Sequence, residues 1–87
     1  MIGAIVTVKG YGLLNKGLIA NCKVVTIARY YTLLITPFGV TRFNDNGGIA
    51  ERNDMNYYCR IIESDMKRIN AFVDKEFGTP EEEGDDA

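Results

Sequence analysis

The side chains that could carry acid–base chemistry are few and scattered along this chain. There is no histidine among its 87 residues, and histidine is the side chain that most often transfers protons near neutral pH. The carboxylates ahead of the C-terminal stretch fall in predicted turns or on the polar face of a predicted helix: Asp45, Glu51, Asp54, Glu63, Asp65, Asp74 and Glu76. A carboxylate pair of the glycosidase type stays open as an alternative, although no spacing singles one out. We therefore predict that the protein is not an enzyme.

The two cysteines, Cys22 and Cys59, also lack the neighbours that chemistry needs. A nucleophilic thiol requires a nearby base, and a zinc site requires four ligands, whereas this chain offers no CxxC pair and no histidine. Both residues lie among apolar neighbours, which favours buried free thiols in a reducing cytoplasm, and a disulfide between them stays open. We predict no cofactor and no metal.

Two glycine-containing stretches resemble ligand-binding loops only in part. Gly10-Tyr11-Gly12 lacks the third glycine and the following helix of a dinucleotide-binding loop. The turn over residues 44–48 has one carboxylate, Asp45, and lacks the closing glutamate of a calcium loop. We interpret both stretches as turns, so that Gly10 and Gly12 end the first strand.

The turn signals divide the first fifty residues into short strands. Pro37 and Gly39 mark one tight turn, and the Asn/Gly-rich stretch over residues 44–48 marks the next. Strands are predicted over residues 2–9, 18–28, 30–36 and 40–43, with a further short strand over 49–52. This pattern is typical of an antiparallel meander.

Alternation within these strands predicts their faces. In the first strand Ile2, Ala4, Val6 and Val8 share one face, and in the third strand Tyr31, Leu33 and Ile35 point the same way. The run over residues 18–28 is apolar on both faces. It is predicted either to be buried on both sides or to bend over the core.

The C-terminal third combines one ambiguous segment with one clear helix. Residues 57–62 could form a strand or open a long helix, and we favour a strand. A helix is predicted over about 65–77, with Ser64 as its N-cap and with Gly78 and Pro80 ending it. Its apolar stripe, which we expect to cover the barrel, consists of Met66, Ile69, Phe72, Val73 and Phe77.

These elements predict a mainly β protein: a small antiparallel barrel of five to six strands with one C-terminal amphipathic helix. Residues 1–79 are predicted to form a single domain, and residues 80–87 (PEEEGDDA) a disordered acidic tail. The N-terminus has no basic region before its apolar run, and no apolar run approaches the roughly 20 residues of a membrane span. We expect a cytoplasmic protein with no membrane partner.

Charge is distributed unevenly along the chain. Residues 1–44 contain five basic side chains and no acidic one, whereas residues 45–87 contain all 12 acidic side chains. Such asymmetry can mark a surface for an acidic partner, and the depletion of Asp and Glu in strands is the simpler alternative. The residues predicted to bind a partner are Lys9, Tyr11, Lys23, Arg29, Tyr30, Arg42, Tyr57 and Arg60.

Three kinds of partner stay open at this point. Exposed Tyr and Arg are frequent anchors in protein interfaces, so a protein partner is the leading hypothesis. Aromatic and basic residues on a small barrel also suit nucleic acid, although the sequence pI of about 5.0 argues against it. The third alternative is a structural component that forms homo-oligomers.

One short motif carries a family resemblance. Val40-Thr41-Arg42-Phe43, followed by Gly47-Gly48, resembles the last hairpin of small SH3-like β-barrel proteins common in phages, over about residues 2–52. The resemblance implies an SH3-like barrel with no defined catalytic activity. It also implies a phage-encoded inhibitor or modulator that binds a host protein in the host cytoplasm.

Overall fold

A single antiparallel sheet and one helix make up the computed structural model, which describes residues 1–11, 17–51 and 58–78. The elements are β1 (Ile5–Tyr11), β2 (Gly17–Ile27), β3 (Tyr31–Thr36), β4 (Gly39–Asn44), β5 (Arg60–Ile61) and α1 (Glu63–Phe77). The strands lie in the order β4-β3-β2-β1-β5. The predicted mainly β fold with a C-terminal helix is confirmed.

The sheet curls into a half-barrel, and the segment over residues 47–50 lies between its two outer strands. On one side, Ala50 N–H donates to the Arg42 carbonyl of β4 at 2.9 Å. On the other, Ile49 N–H donates to the Cys59 carbonyl at 3.2 Å, and Ile61 N–H of β5 donates to Gly47 at 2.9 Å. Within this segment, Gly48 and Ile49 each form a single isolated bridge, and residues 49–51 form no strand. The strand predicted over 49–52 is therefore wrong for residues 49–51. Arg52 lies outside the described residues.

The concave face of the sheet holds the core. Seven side chains of the strands are at most 2% exposed: Val6, Val8, Cys22, Val24, Leu34, Phe43 and Ile61. Burial of each aliphatic or aromatic side chain is worth about 1.5–3 kcal/mol. From α1, Met66 and Ile69 are buried against this cluster and Phe72 and Val73 are partly buried, as predicted. Phe77, the last residue of the predicted stripe, is 41% exposed.

β1 differs from its prediction at both ends. It begins at Ile5, and Ile2, predicted to face the core, is 79% exposed. It also continues through Gly10 to Tyr11, so the predicted break is wrong. A Cβ at Gly10 would lie 2.2 Å from the Tyr58 carbonyl oxygen. Position 10 requires glycine because the backbone at Tyr58 packs directly against β1. This requirement comes from the tertiary structure and not from the local sequence.

The helix starts earlier than its sequence indicates. Ile62, not Ser64, is the N-cap, and it makes no side-chain capping hydrogen bond. Ile62 N–H instead donates to the Thr7 carbonyl at 3.0 Å, which joins the start of α1 to β1. The predicted end is correct, since Gly78 has φ 75° and donates to the Asp74 carbonyl. Of the ambiguous segment over 57–62, Tyr57 lies outside the described residues, and within 58–62 the strand consists of Arg60 and Ile61.

β5 pairs with only two residues of β1, and side chains of α1 form hydrogen bonds with backbone groups in the earlier part of β1. The Thr7 N–H donates to Asp65 Oδ2 at 2.6 Å. Arg68 Nη1 donates to the Ile5 carbonyl at 3.0 Å and lies 2.7 Å from Asp65 Oδ1. Asp65 is 8% exposed, so its carboxylate is shielded from water. At this edge of the sheet the carboxylate accepts the backbone hydrogen bond that a neighbouring strand would otherwise accept.

We predict that Asp65→Ala lowers the free energy of unfolding by about 2 to 3 kcal/mol. The substitution leaves the Thr7 N–H without its acceptor and Arg68 without its anion. Urea denaturation followed by circular dichroism measures the change. Asp74→Ala, at an exposed position of the same helix, is the control and should change stability by less than about 0.5 kcal/mol. Equal stability of the two variants would contradict this role for Asp65.

Candidate interaction surface

The alternation of the strands leaves their second set of side chains on the convex side of the sheet. Strand pairing aligns Ile5, Lys23, Ile35 and Val40 in one row across β1, β2, β3 and β4. Ile5 and Ile35 are each 49% exposed and Val40 is 65% exposed. The row is therefore an exposed aliphatic stripe with one lysine within it.

Further along the strands, an arginine and an aromatic ring extend this row. Arg42 pairs with Leu33 across β3 and β4, and its guanidinium carbon lies 4.4 Å from the centroid of the Tyr31 ring. A cation–π contact at an exposed site is worth about 0.5–1 kcal/mol. The contact holds the Arg42 side chain over the sheet, where its N–H groups can still donate to a partner.

At the other end of the sheet, Lys9 pairs with Ile19 on one side and with Arg60 on the other. Ile19 is 78% exposed. Arg60 Nη2 donates to the Asn46 carbonyl at 3.3 Å, so one of its nitrogens is already engaged. Together these rows define the outer face, which consists of Ile5, Lys9, Ile19, Lys23, Ile35, Val40 and Arg42.

The outer face carries only positive charge. Its charged members are Lys9, Lys23 and Arg42, and no acidic residue precedes Asp45 in the sequence. Within the described part of the chain, neither Lys23 nor Arg42 forms an ion pair. Apolar groups and unneutralised cations thus share one surface.

Two of the predicted binding residues lie in the turn between β2 and β3 and not on the outer face. Arg29 Nη2 donates to the Phe77 carbonyl and lies 3.4 Å from the Gly78 carbonyl, so its cation faces the C-terminus of α1. Such a contact satisfies the last carbonyls of a helix and suits the sign of its dipole. Tyr30 beside it is 60% exposed.

The remaining predicted residues divide between described and undescribed positions. Lys9, Lys23 and Arg42 all lie on the outer face, with Lys9 and Arg42 toward opposite ends of the sheet, and Arg60 adjoins this face from β5. The Tyr11 backbone belongs to β1, but its side chain lies outside the described part, as does all of Tyr57. The binding role of all eight residues stays a prediction.

Sequence reasoning missed the apolar part of this surface. Ile5, Ile19, Ile35 and Val40 were not among the candidate residues, because apolar side chains on both faces of a strand give no sign of which face is buried. A usable signal was present nonetheless. Three of the four residues share their strand parity with a cation of the same strand: Ile5 with Lys9, Ile19 with Lys23, and Val40 with Arg42.

β2 has a bulge between Val24 and Thr26, consistent with the predicted bend.

The two cysteines lie in the core. Cys22 and Cys59 are buried and are not joined by a disulfide, and they line a narrow apolar space, too tight to hold a water molecule, beside Val8, Phe38 and Phe43. Burial raises the pKa of the Cys22 thiol, and the nearby Cys59 raises it further. Burial also raises the pKa of Cys59. No group of three or more His, Cys, Asp or Glu residues is placed to hold a metal within the described ranges.

Searches of protein-family models, curated proteins and solved structures found no match to this chain. Across the residues with described structure, no helix combines the length and apolar character that crossing a membrane requires.

We predict that both thiols react slowly with an aromatic disulfide reagent while the protein is folded. A raised pKa keeps each thiol protonated at neutral pH, and burial blocks access, so the rate should be on the order of 100-fold below that of the unfolded chain. Absorbance at about pH 7.5, with and without about 8 M urea as the unfolded control, measures the reaction rate. Fast modification of either cysteine in the folded protein would contradict the buried arrangement.

Proposed function

We propose that this protein is a non-catalytic interaction module that binds a partner protein through its outer face. The observation that supports the proposal most directly is the exposed row of Ile5, Ile35 and Val40 around Lys23. Scattered exposed aliphatic residues are common on monomers, but aligned ones that form a stripe are typical of interaction sites.

Charge argues for a partner that is apolar at its centre and acidic around it. Two copies of this face would bring lysines and arginines of the same sign together, which disfavours the homo-oligomer alternative. An acidic partner would instead pair with Lys23 and Arg42 as the aliphatic side chains become buried. Electrostatic steering would also speed the encounter.

We extend the proposal to a biological setting on the basis of the sequence resemblance. The Val40–Phe43 strand and the glycine-containing turn after it support an SH3-like barrel of the phage type. A small barrel of this type is proposed to act as an inhibitor or modulator of a host protein in the host cytoplasm. The mainly β half-barrel is compatible with that family, whose members work through binding and not through a shared catalytic centre.

We predict that Ile35→Asp weakens binding of the partner roughly 30-fold, which corresponds to about 2 kcal/mol. The full chain is used to capture a partner from bacterial lysate, and the purified pair is then measured by calorimetry. Lys23→Glu should also weaken binding, and more strongly at low salt.

The matched control for these variants is Lys75→Glu, which reverses a charge at an exposed position of α1 away from the outer face. It should bind as the unaltered protein does. Hydrogen exchange of the complex should show protection concentrated in β1 to β4. The proposal fails if Ile35→Asp binds normally, or if the protected region excludes the outer face.

A nucleic-acid partner is the second candidate, favoured by the Arg42–Tyr31 stack on the same face as Lys9 and Lys23. If Lys9, Lys23 and Arg42 each contact a phosphate, affinity should fall roughly 40-fold between 50 mM and 200 mM salt. Titration of labelled single-stranded and duplex DNA and RNA measures this, with Lys23→Glu/Arg42→Glu as the variant expected to lose binding. Absence of binding at low salt removes this candidate.

A further inference from the structure

We propose that the acidic segment of this chain (residues 79–87) binds the outer face of the same molecule and competes with the partner protein for it. This inference rests on the proposed function, since it names a second occupant for the same surface. The occupant is defined by its five carboxylates, at positions 81, 82, 83, 85 and 86.

The acidic segment leaves the fold beside the turn that leads into β3. α1 ends at Phe77, and the carbonyl oxygen of its C-cap, Gly78, lies 3.4 Å from Arg29 in the turn between β2 and β3. Two residues after Arg29, Tyr31 begins β3, and Arg42 lies over its ring at 4.4 Å. The end of the helix is thus held at a turn from which β3 leads to a cation of the outer face.

The segment is long enough to span both Arg42 and Lys23 at once. An extended chain spans at most about 3.3–3.6 Å per residue, so residues 79–86 can cover roughly 26 Å. Arg42 and Lys23 lie two strands apart on the same face and two registered positions apart along it. With strands about 4.8 Å apart and about 3.3 Å per residue along a strand, that separation is roughly 12 Å. The carboxylates of one segment can therefore pair with both cations.

Charge favours the outer face over the helix as the binding surface. The exposed cations of α1 already have acidic neighbours: Lys67 lies 3.9 Å from Glu63, and Lys75 stands between Asp74 and Glu76 in the sequence. On the outer face, Lys23 and Arg42 have no anionic partner among the described residues. Because the segment is covalently attached, even weak ion pairs act at a high effective concentration.

The first test compares amide chemical shifts of the full chain with those of a variant whose acidic segment is neutral, Glu81→Gln/Glu82→Gln/Glu83→Gln/Asp85→Asn/Asp86→Asn. We expect shift differences at Lys23, Ile35, Val40 and Arg42 in 20 mM salt, and we expect them to vanish near 0.5 M salt because these charges are screened (roughly a 4 Å Debye length). Asp74→Asn/Glu76→Gln is the control and should leave these four amides unchanged. Differences absent from the outer face, or confined to α1, overturn the proposal.

The second test measures competition. If the segment occupies the face about 80% of the time, the neutral variant should bind the captured partner about 5-fold more tightly than the unaltered chain. Unchanged affinity of the neutral variant, when Ile35→Asp still weakens partner binding as expected, would reject the role of the segment and leave the proposed function intact. Salt-sensitive shifts on the outer face, together with normal partner binding by Ile35→Asp, would reject the proposed function and retain the segment's binding.

Discussion

The contact between Asp65 and the backbone of β1 is the constraint on which the rest of this structure depends. β5 has only two residues and pairs with Val8 and Lys9, which leaves the earlier part of β1 without a strand beside it. Asp65 accepts the Thr7 N–H there, and Arg68 donates to the Ile5 carbonyl. The helix therefore does two things at once: it completes the edge of the sheet with polar groups and covers the core with Met66 and Ile69.

This arrangement decides which face of the sheet is buried. A small domain has enough apolar residues for one core, and a single helix can cover only one side of a sheet. Because Asp65 holds the start of α1 at β1 and Arg29 holds its end at the β2–β3 turn, the helix lies on the concave side. The convex side is left with its isoleucines and cations exposed. The proposed binding surface is thus a consequence of where the helix is attached.

Local sequence signals predicted the elements whose causes are local. Pro37 and Gly39 placed the turn before β4, and Gly78 ended α1, because each sets backbone angles that few other residues adopt. The predictions at Gly10 and Ser64 were wrong for a shared reason. Gly10 is needed for the crossing of Tyr58, and the helix start is set by its hydrogen bond to Thr7. Those partners lie some fifty residues away in the chain, beyond the reach of any local pattern.

The candidate surface divides in the same way. Charge and alternation depend on residue type and spacing alone, so the amino-acid order was enough to predict that strands with no acidic residue carry Lys9, Lys23 and Arg42. The same local patterns predicted a mainly β chain with one C-terminal helix. Local patterns could not predict that Ile5, Ile35 and Val40 join Lys23 in an exposed row, or that Arg29 faces a helix end. Strand register and helix placement arise from contacts between distant segments, and a residue's neighbours in space follow from those contacts.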